Sequence, residues 1–196
     1  MSARLILCFF FLAGLVTFGG RFAAQAQAAP KARPAVTTVY LVRHAEKDTA
    51  AAGRADPALS GVGEVRAQVL RKLLARRRPT ALFTTDTRRT RATLAPLAAA
   101  TKLEPLVYNP KETTALAQRI RREFMGKTVV VVGHSNTLLP LIESLGGTSP
   151  VEEIGDDEYD YLFTVRIVEG VLPTVGVQGY GPEGRVASGA KATRSR

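Results

Sequence analysis

Val39-Tyr40-Leu41-Val42-Arg43-His44-Ala45-Glu46-Lys47 is the segment on which the fold turns. Four apolar residues run without interruption into Arg43-His44, the pattern of a short buried strand. In open α/β sheets, ligands sit outside the carboxyl ends of the strands, where this Arg-His pair falls. The chain has only two histidines, and the other ends a similar run, Val129-Val130-Val131-Val132-Gly133-His134-Ser135-Asn136. Two apolar strands, each closing on a histidine, imply that both strand ends open onto one site. An arginine beside one of them points to anion chemistry.

Working outward, the remaining elements alternate. Thr37–Val42 reads as the first strand. Asp48–Ser60 reads as a loop containing Pro57, and Ser60 caps a helix over Gly61–Arg78 that Pro79 ends. That helix is expected to turn Val62, Val65, Val69, Leu70, Leu73 and Leu74 inward and to leave Glu64 and Arg66 mostly in solvent. Ala81–Thr84 is a strand, and Thr85-Asp86-Thr87 caps a helix over Arg88–Ala100. A short strand over Glu104–Val107, a helix over Glu112–Phe124 and a strand over Thr128–Val132 follow. Ser135 or Asn136 opens a helix that runs to Leu145 and closes at Gly146-Gly147. Tyr159–Val168 and Val171–Val177 read as a hairpin turning at Glu169-Gly170. The expected fold is therefore three-layer α/β/α with a mostly parallel central sheet and late antiparallel edge strands.

The ends of the chain read differently. Arg4 precedes an apolar run from Leu5 to Val16, and small residues with two A-x-A sites, Ala24-Gln25-Ala26 and Ala26-Gln27-Ala28, come after it. This is the pattern of a bacterial-type signal peptide, too short for a membrane span of roughly 20 residues. Residues 1–28 are the expected signal peptide and 29–36 a linker. Residues 37–178 are the domain, and 179–196 form a basic tail expected to be disordered. Export to the periplasm or beyond follows, with no stable membrane span after cleavage, at Gln27 or Ala29. The only cysteine, Cys8, lies inside the apolar run, so a cleaved chain has no disulfide and no thiol nucleophile.

The formal charge is +10, and about +8 remains after residues 1–28, which carry only Arg4 and Arg21. That balance favours anionic ligands. Aromatic residues make up 7% of the chain and tryptophan is absent, which disfavours a base-stacking nucleic-acid surface. Two histidines without ligand-spaced partners make a poor zinc site, so neither metal nor cofactor is expected. The Walker loop and G-x-S-x-G are both missing, which removes support for P-loop and serine hydrolase chemistry. Nothing in the sequence marks an oligomeric state.

Three segments in order, Arg43-His44-Ala45-Glu46-Lys47, Thr84-Thr85-Asp86-Thr87-Arg88-Arg89-Thr90-Arg91-Ala92-Thr93 and Gly133-His134-Ser135-Asn136, resemble the histidine phosphatase superfamily. This is the fold of phosphoglycerate mutases and histidine acid phosphatases. The short chain looks most like the small phosphohistidine-phosphatase-like branch, over about residues 37–168. The usual R-H-G is Arg43-His44-Ala45 here. The resemblance implies a phosphatase acting on a small phosphorylated substrate, with His44 as nucleophile and His134 as a donor to the transferring group. Arg43 and Arg89 would clamp phosphate, with Arg88 and Arg91 as competitors of Arg89.

Residue chemistry fits that implication. Phosphoryl transfer needs charge neutralised on three oxygens and an in-line nucleophile. Guanidinium forks suit the first task, and a neutral imidazole suits the second by forming a covalent intermediate that water hydrolyses. Ser135 and Asn136 can add donors to phosphate or only cap the helix behind them. Glu46 and Glu112 are the candidate proton donors for the leaving group, with Asp48 a weaker one. The alternative function is a non-catalytic phosphate- or polyanion-binding protein on the same fold.

Overall fold

The computed structural model describes residues 34–50 and 55–182, within a compact unit that begins at Arg33. The expected signal peptide, its cleavage sites and the chain beyond Pro182 lie outside the described residues. Among these residues, no helix is long and apolar enough to cross a membrane.

Ten elements alternate as the sequence implies: β1 (Val36–Arg43), α1 (Gly61–Leu74), β2 (Ala81–Thr84), α2 (Arg88–Thr101), β3 (Leu106–Val107), α3 (Thr113–Glu123), β4 (Thr128–Gly133), α4 (Ser135–Ser144), β5 (Tyr161–Val168) and β6 (Thr174–Gly179). The strands form one sheet in the order β3-β2-β4-β1-β5-β6. The first four in that order run parallel, and β5 and β6 are antiparallel to their neighbours. The central strands are buried on both faces, so they are apolar at successive positions instead of alternating.

Opposite faces of each strand serve different layers. Val39, Leu41, Phe83, Val129 and Val131 face the core shared with Leu116, Ile120, Leu138 and Ile142 of α3 and α4. Val42, Leu82, Val130 and Val132 face Leu70, Leu74, Leu94 and Leu97 of α1 and α2. The period of two along a strand thus sorts four helices into two layers. Each fully buried leucine or phenylalanine in these layers contributes about 1.5–3 kcal/mol.

Four details differ from the sequence reading. Helix α1 turns Gly63, Arg66, Ala67, Leu70 and Leu74 inward, leaving Val62 and Val65 at least half exposed and Leu73 exposed. Both stripes have helical spacing, one residue out of phase. The choice falls on Gly63 because its Cα lies against the Glu46 backbone, where a Cβ would collide with the carbonyl oxygen. The helix also stops at Leu74, and a 3-10 turn over Ala75–Arg77 leads to Arg78 in the left-handed region.

The hairpin is looser than expected. Strand β5 begins at Tyr161 and β6 at Thr174, so Val171 and Leu172 are exposed loop residues ahead of Pro173, which has no N–H for a ladder. The ordered chain also passes the expected boundary at 178. Gly179 ends β6, and Tyr180 is buried with its amide donating to the Asp160 carbonyl at 2.8 Å.

Candidate active site

Parallel register brings the two histidines together. Arg43 on β1 pairs with Gly133 on β4, so the next residues, His44 and His134, leave the sheet side by side. The His44 amide donates to the Gly133 carbonyl at 2.9 Å, and the two ring centroids lie 5.4 Å apart. On the other flank of β4, Thr84 pairs with Val132, which carries Thr85 to His134. A Cβ at Gly133 would come within 2.7 Å of the Tyr108 hydroxyl, so only glycine fits at this crossing.

A cavity of about 850 Å³ opens over these strand ends. Arg43, His44, Arg89, His134, Ser135 and Asn136 all line it, together with Lys47 and Lys111. Arg88 and Arg91 do not: Arg88 is exposed, and Arg91 pairs with the exposed Asp86 at 2.8 Å.

One ring nitrogen of His44 is anchored on backbone. Its Nδ1 lies 2.9 Å from the carbonyl of Ala45. A proton on Nδ1 donates to that oxygen, which leaves the Nε2 lone pair free. Burial lowers the His44 pKa to about 4; the Ala45 hydrogen bond opposes this, and the charges of Arg89, His134 and Arg43 reinforce it. Ala45, where the family has glycine, is buried outside the left-handed region and donates its amide to Thr93 Oγ1 at 2.9 Å. Alanine therefore meets no backbone penalty at this position.

The two arginines are anchored from one side only. Arg43 is buried, and its Nη1 donates to the carbonyls of Gly155, Asp156 and Glu158 at 2.7, 3.0 and 3.3 Å. The Tyr159 ring covers the guanidinium at 4.3 Å. Glu158 closes that loop, accepting from the Gly155 amide at 2.8 Å and the Tyr161 hydroxyl at 3.0 Å. Arg89 is steered by Asp56 at 3.3 Å, and the second oxygen of that carboxylate accepts from the Arg88 amide at 2.9 Å. In both arginines Nε is buried and has no partner among the described residues.

His134 sits at the start of α4. Its Nε2 lies 2.9 Å from Thr85 Oγ1, and Thr85 donates to Thr90 Oγ1 at 3.0 Å. That chain makes His134 Nε2–H the donor to Thr85 and leaves Nδ1 for other partners. Burial, then Arg89 and Arg43, lower the His134 pKa, and Asp56 works against them.

The carboxylates are placed less simply. Glu46 faces a second cavity and is gripped by Arg66, with Nε at 3.0 and 2.9 Å and Nη2 at 2.6 Å. Burial pushes the Glu46 pKa up, but the Arg66 hydrogen bonds outweigh it and hold the group below the usual carboxylate range. An ionised group outside the pocket makes a poor proton donor, which corrects the expectation for Glu46. It also explains why Arg66, expected in solvent, is buried. Glu112 is exposed beside the pocket, between the lining residues Lys111 and Thr113, and accepts from Asn109 Nδ2 at 2.8 Å. Asp48 accepts from the Ala50 amide and is not a lining residue. Among the described residues, no group of His, Cys, Asp or Glu side chains is placed to hold a metal ion.

Several site residues escaped the sequence reading: Asp56, Tyr159, Thr85, Thr90, Thr93 and the two lysines. Asp56-Pro57 was readable only as loop. Thr85 was readable only as a helix cap, and Thr90 and Thr93 only as members of the arginine-rich segment.

The family model for the histidine phosphatase superfamily (branch 1) matches residues 39–111. No curated protein matches the chain. Among solved structures, the protein histidine phosphatase SixA complexed with tungstate aligns with TM-score 0.58 at 17% identity, covering 73% of this chain and 96% of that one. SixA from Agrobacterium tumefaciens aligns with TM-score 0.52 at 22% identity, covering 66% and 91%. A mycobacterial glucosyl-3-phosphoglycerate phosphatase complexed with VO3 aligns with TM-score 0.56 at 15% identity, covering 74% and 98%. The family match spans the first histidine and the arginine helix, and these neighbours share the fold of the chain.

Proposed function

We propose that this phosphatase hydrolyses phosphomonoesters or phosphoramidates through a phosphohistidine on His44, without a metal ion. One observation carries the reading. A histidine kept neutral, with Nδ1 anchored on a backbone carbonyl, stands between two guanidinium groups whose Nε atoms are buried and unpartnered. An oxyanion would satisfy both donors while presenting phosphorus to Nε2.

In the first step, the Nε2 lone pair forms the N–P bond as the bond from phosphorus to the leaving group breaks. Arg43 and Arg89 neutralise the equatorial oxygens. A bound phosphate dianion also counters the lowering of the His134 pKa, and the protonated ring becomes a donor from Nδ1 to the transferring group. In the second step, water attacks phosphorus, the N–P bond breaks, and inorganic phosphate leaves with His44 neutral again. Among the described residues no carboxylate lines the pocket, so the first step favours leaving groups that depart without strong acid assistance. Export rests on the Arg4-led apolar run and the A-x-A sites at residues 24–28.

The test is rapid quench with a labelled aryl phosphate in the presence of chelator, followed by mapping of the modified residue. Acid-labile phosphate on His44 is expected, and none on His134. Label on His134, a normal burst from His44→Ala protein, or chelator loss restored by zinc or manganese would overturn the mechanism.

A further inference from the structure

The pole of the domain opposite the cavity combines positive charge with exposed apolar surface, and phosphate chemistry uses neither. Strands β1, β2 and β4 begin there and β5 ends there, since the first three are parallel and Val36 pairs with Val168. Helices α1 and α2 run down to this pole from the cavity end of the sheet, because each leads into the next parallel strand. Lys72, Arg76, Arg77, Arg78, Lys102 and Lys127 are exposed there and in no ion pair among the described residues. Against them stand Glu104, Glu143 and Glu169, while Glu123 is taken up by Arg119 and Arg122 at 2.9 and 2.8 Å.

Two of these cations stand where the backbone disfavours them. Arg78 closes the turn after α1 at φ 50°, and Lys102 closes α2 at φ 57°. Among the described residues they are the only non-glycine residues at positive φ. Glycine is the ordinary residue at such a cap. A cation at a helix end complements the helix dipole, but Arg76, Arg77 and Arg78 in succession exceed that need.

The apolar part is the loop between β5 and β6. Leu172 is 85% exposed and Val171 61%. The Val171 amide donates to the Val168 carbonyl at 3.2 Å, and Pro173 lies beside Gly146 at the end of α4, which fixes the base of the loop. Strands β2 and β5 are three intervals apart in the sheet, about 15 Å, so the aliphatic tip and the arginine turn fit one footprint. The described chain also enters at this pole, where Ala35 lies against Gly126.

We infer that this pole docks on the surface of a bilayer containing anionic phospholipid. Val171 and Leu172 enter the boundary between headgroups and acyl chains, and the cations face the lipid phosphates. The aliphatic tip favours a bilayer over a soluble polyanion, which offers Leu172 nothing apolar to enter. Strand β1 has eight residues at about 3.3 Å each, so His44 is held roughly 25 Å above the docked face, open to the aqueous side. This goes beyond the phosphatase reading and does not depend on it.

The test is sedimentation of the exported protein with vesicles of phosphatidylcholine, alone or with about a quarter phosphatidylglycerol. Binding to the mixed vesicles is expected to be the tighter. Each cation at an anionic surface contributes about fivefold, so the double variant Arg76→Ala, Arg77→Ala should bind them about 25-fold more weakly. Leu172→Ser should lose about tenfold. Arg88→Ala and Arg91→Ala, at the cavity end, should bind as wild type. The chain has no tryptophan, so Leu172→Trp supplies a single reporter. Its emission should shift to the blue on mixed vesicles and be quenched by brominated acyl chains. Urea unfolding of each variant checks that the fold is kept. Equal binding to both vesicles, or an emission that does not shift, would overturn the docking. Binding as tight to polyphosphate in solution, and indifferent to Leu172→Ser, would assign the pole to a soluble polyanion and overturn it too.

Discussion

Keeping His44 neutral has a measurable thermodynamic cost in acid. Its pKa falls from 6.5 in the unfolded chain to about 4 in the fold, chiefly through burial, with the charges of Arg89, His134 and Arg43 adding to it. Below pH 6.5 the unfolded chain therefore binds a proton that the folded chain refuses, and stability declines as pH falls toward 4. Integrating over that window gives a loss of about 2 kcal/mol by pH 5 and about 3 kcal/mol by pH 4. The assay is urea unfolding of wild-type and His44→Gln protein at pH 7, 6, 5 and 4. The glutamine has no proton to refuse, so the variant should lose about 3 kcal/mol less than wild type between pH 7 and 4. His134 and the carboxylates remain in both proteins, and the difference isolates the one ring. Two stability curves that stay parallel across the range would refute the reasoning.

Other expectations follow from the anchoring contacts. Arg89→Ala should lower turnover about a hundred- to a thousandfold, as expected for loss of a charge-stabilising donor, while Arg88→Ala and Arg91→Ala stay within a few-fold, read by steady-state kinetics. Glu158→Ala should loosen the carbonyl loop that holds Arg43, raising KM about tenfold with a smaller change in kcat and leaving Glu158→Gln intermediate. A fall in kcat at constant KM would argue against that positioning role. Amino-terminal sequencing of exported protein should begin at Gln27 or Ala29; a retained Met1 would speak against cleavage.

The backbone of the site was legible because it follows from strand ends. Two apolar runs closing on histidine were readable as strands of one mostly parallel sheet, and the structure makes them neighbours, with Arg43 in register with Gly133. What the sequence hid was long-range and side-chain specific. Glu46 lies two residues from His44, yet its carboxylate points to Arg66, twenty positions on, because a buried guanidinium needs a partner. Asp56 sits in a loop whose composition says nothing of Arg89. The phase of α1 was invisible for a similar reason: two stripes of equal spacing differ only in which one can approach Glu46, and that is a fact about another segment.

The carbonyls that seat Arg43 lie 112 to 115 positions further along the chain. Strand β1 pairs with β4 and β5, so both of its sheet neighbours are made well after it. Domains emerge from the ribosome amino terminus first. His44 is therefore among the first residues of the domain to be made, while the arginine beside it is seated only when the segment from Gly155 on has been translated and docked. A chain interrupted before Gly155 would carry His44, Arg89 and His134 yet lack the seat for its clamp. Oxyanion affinity thus reports that the whole domain has been built.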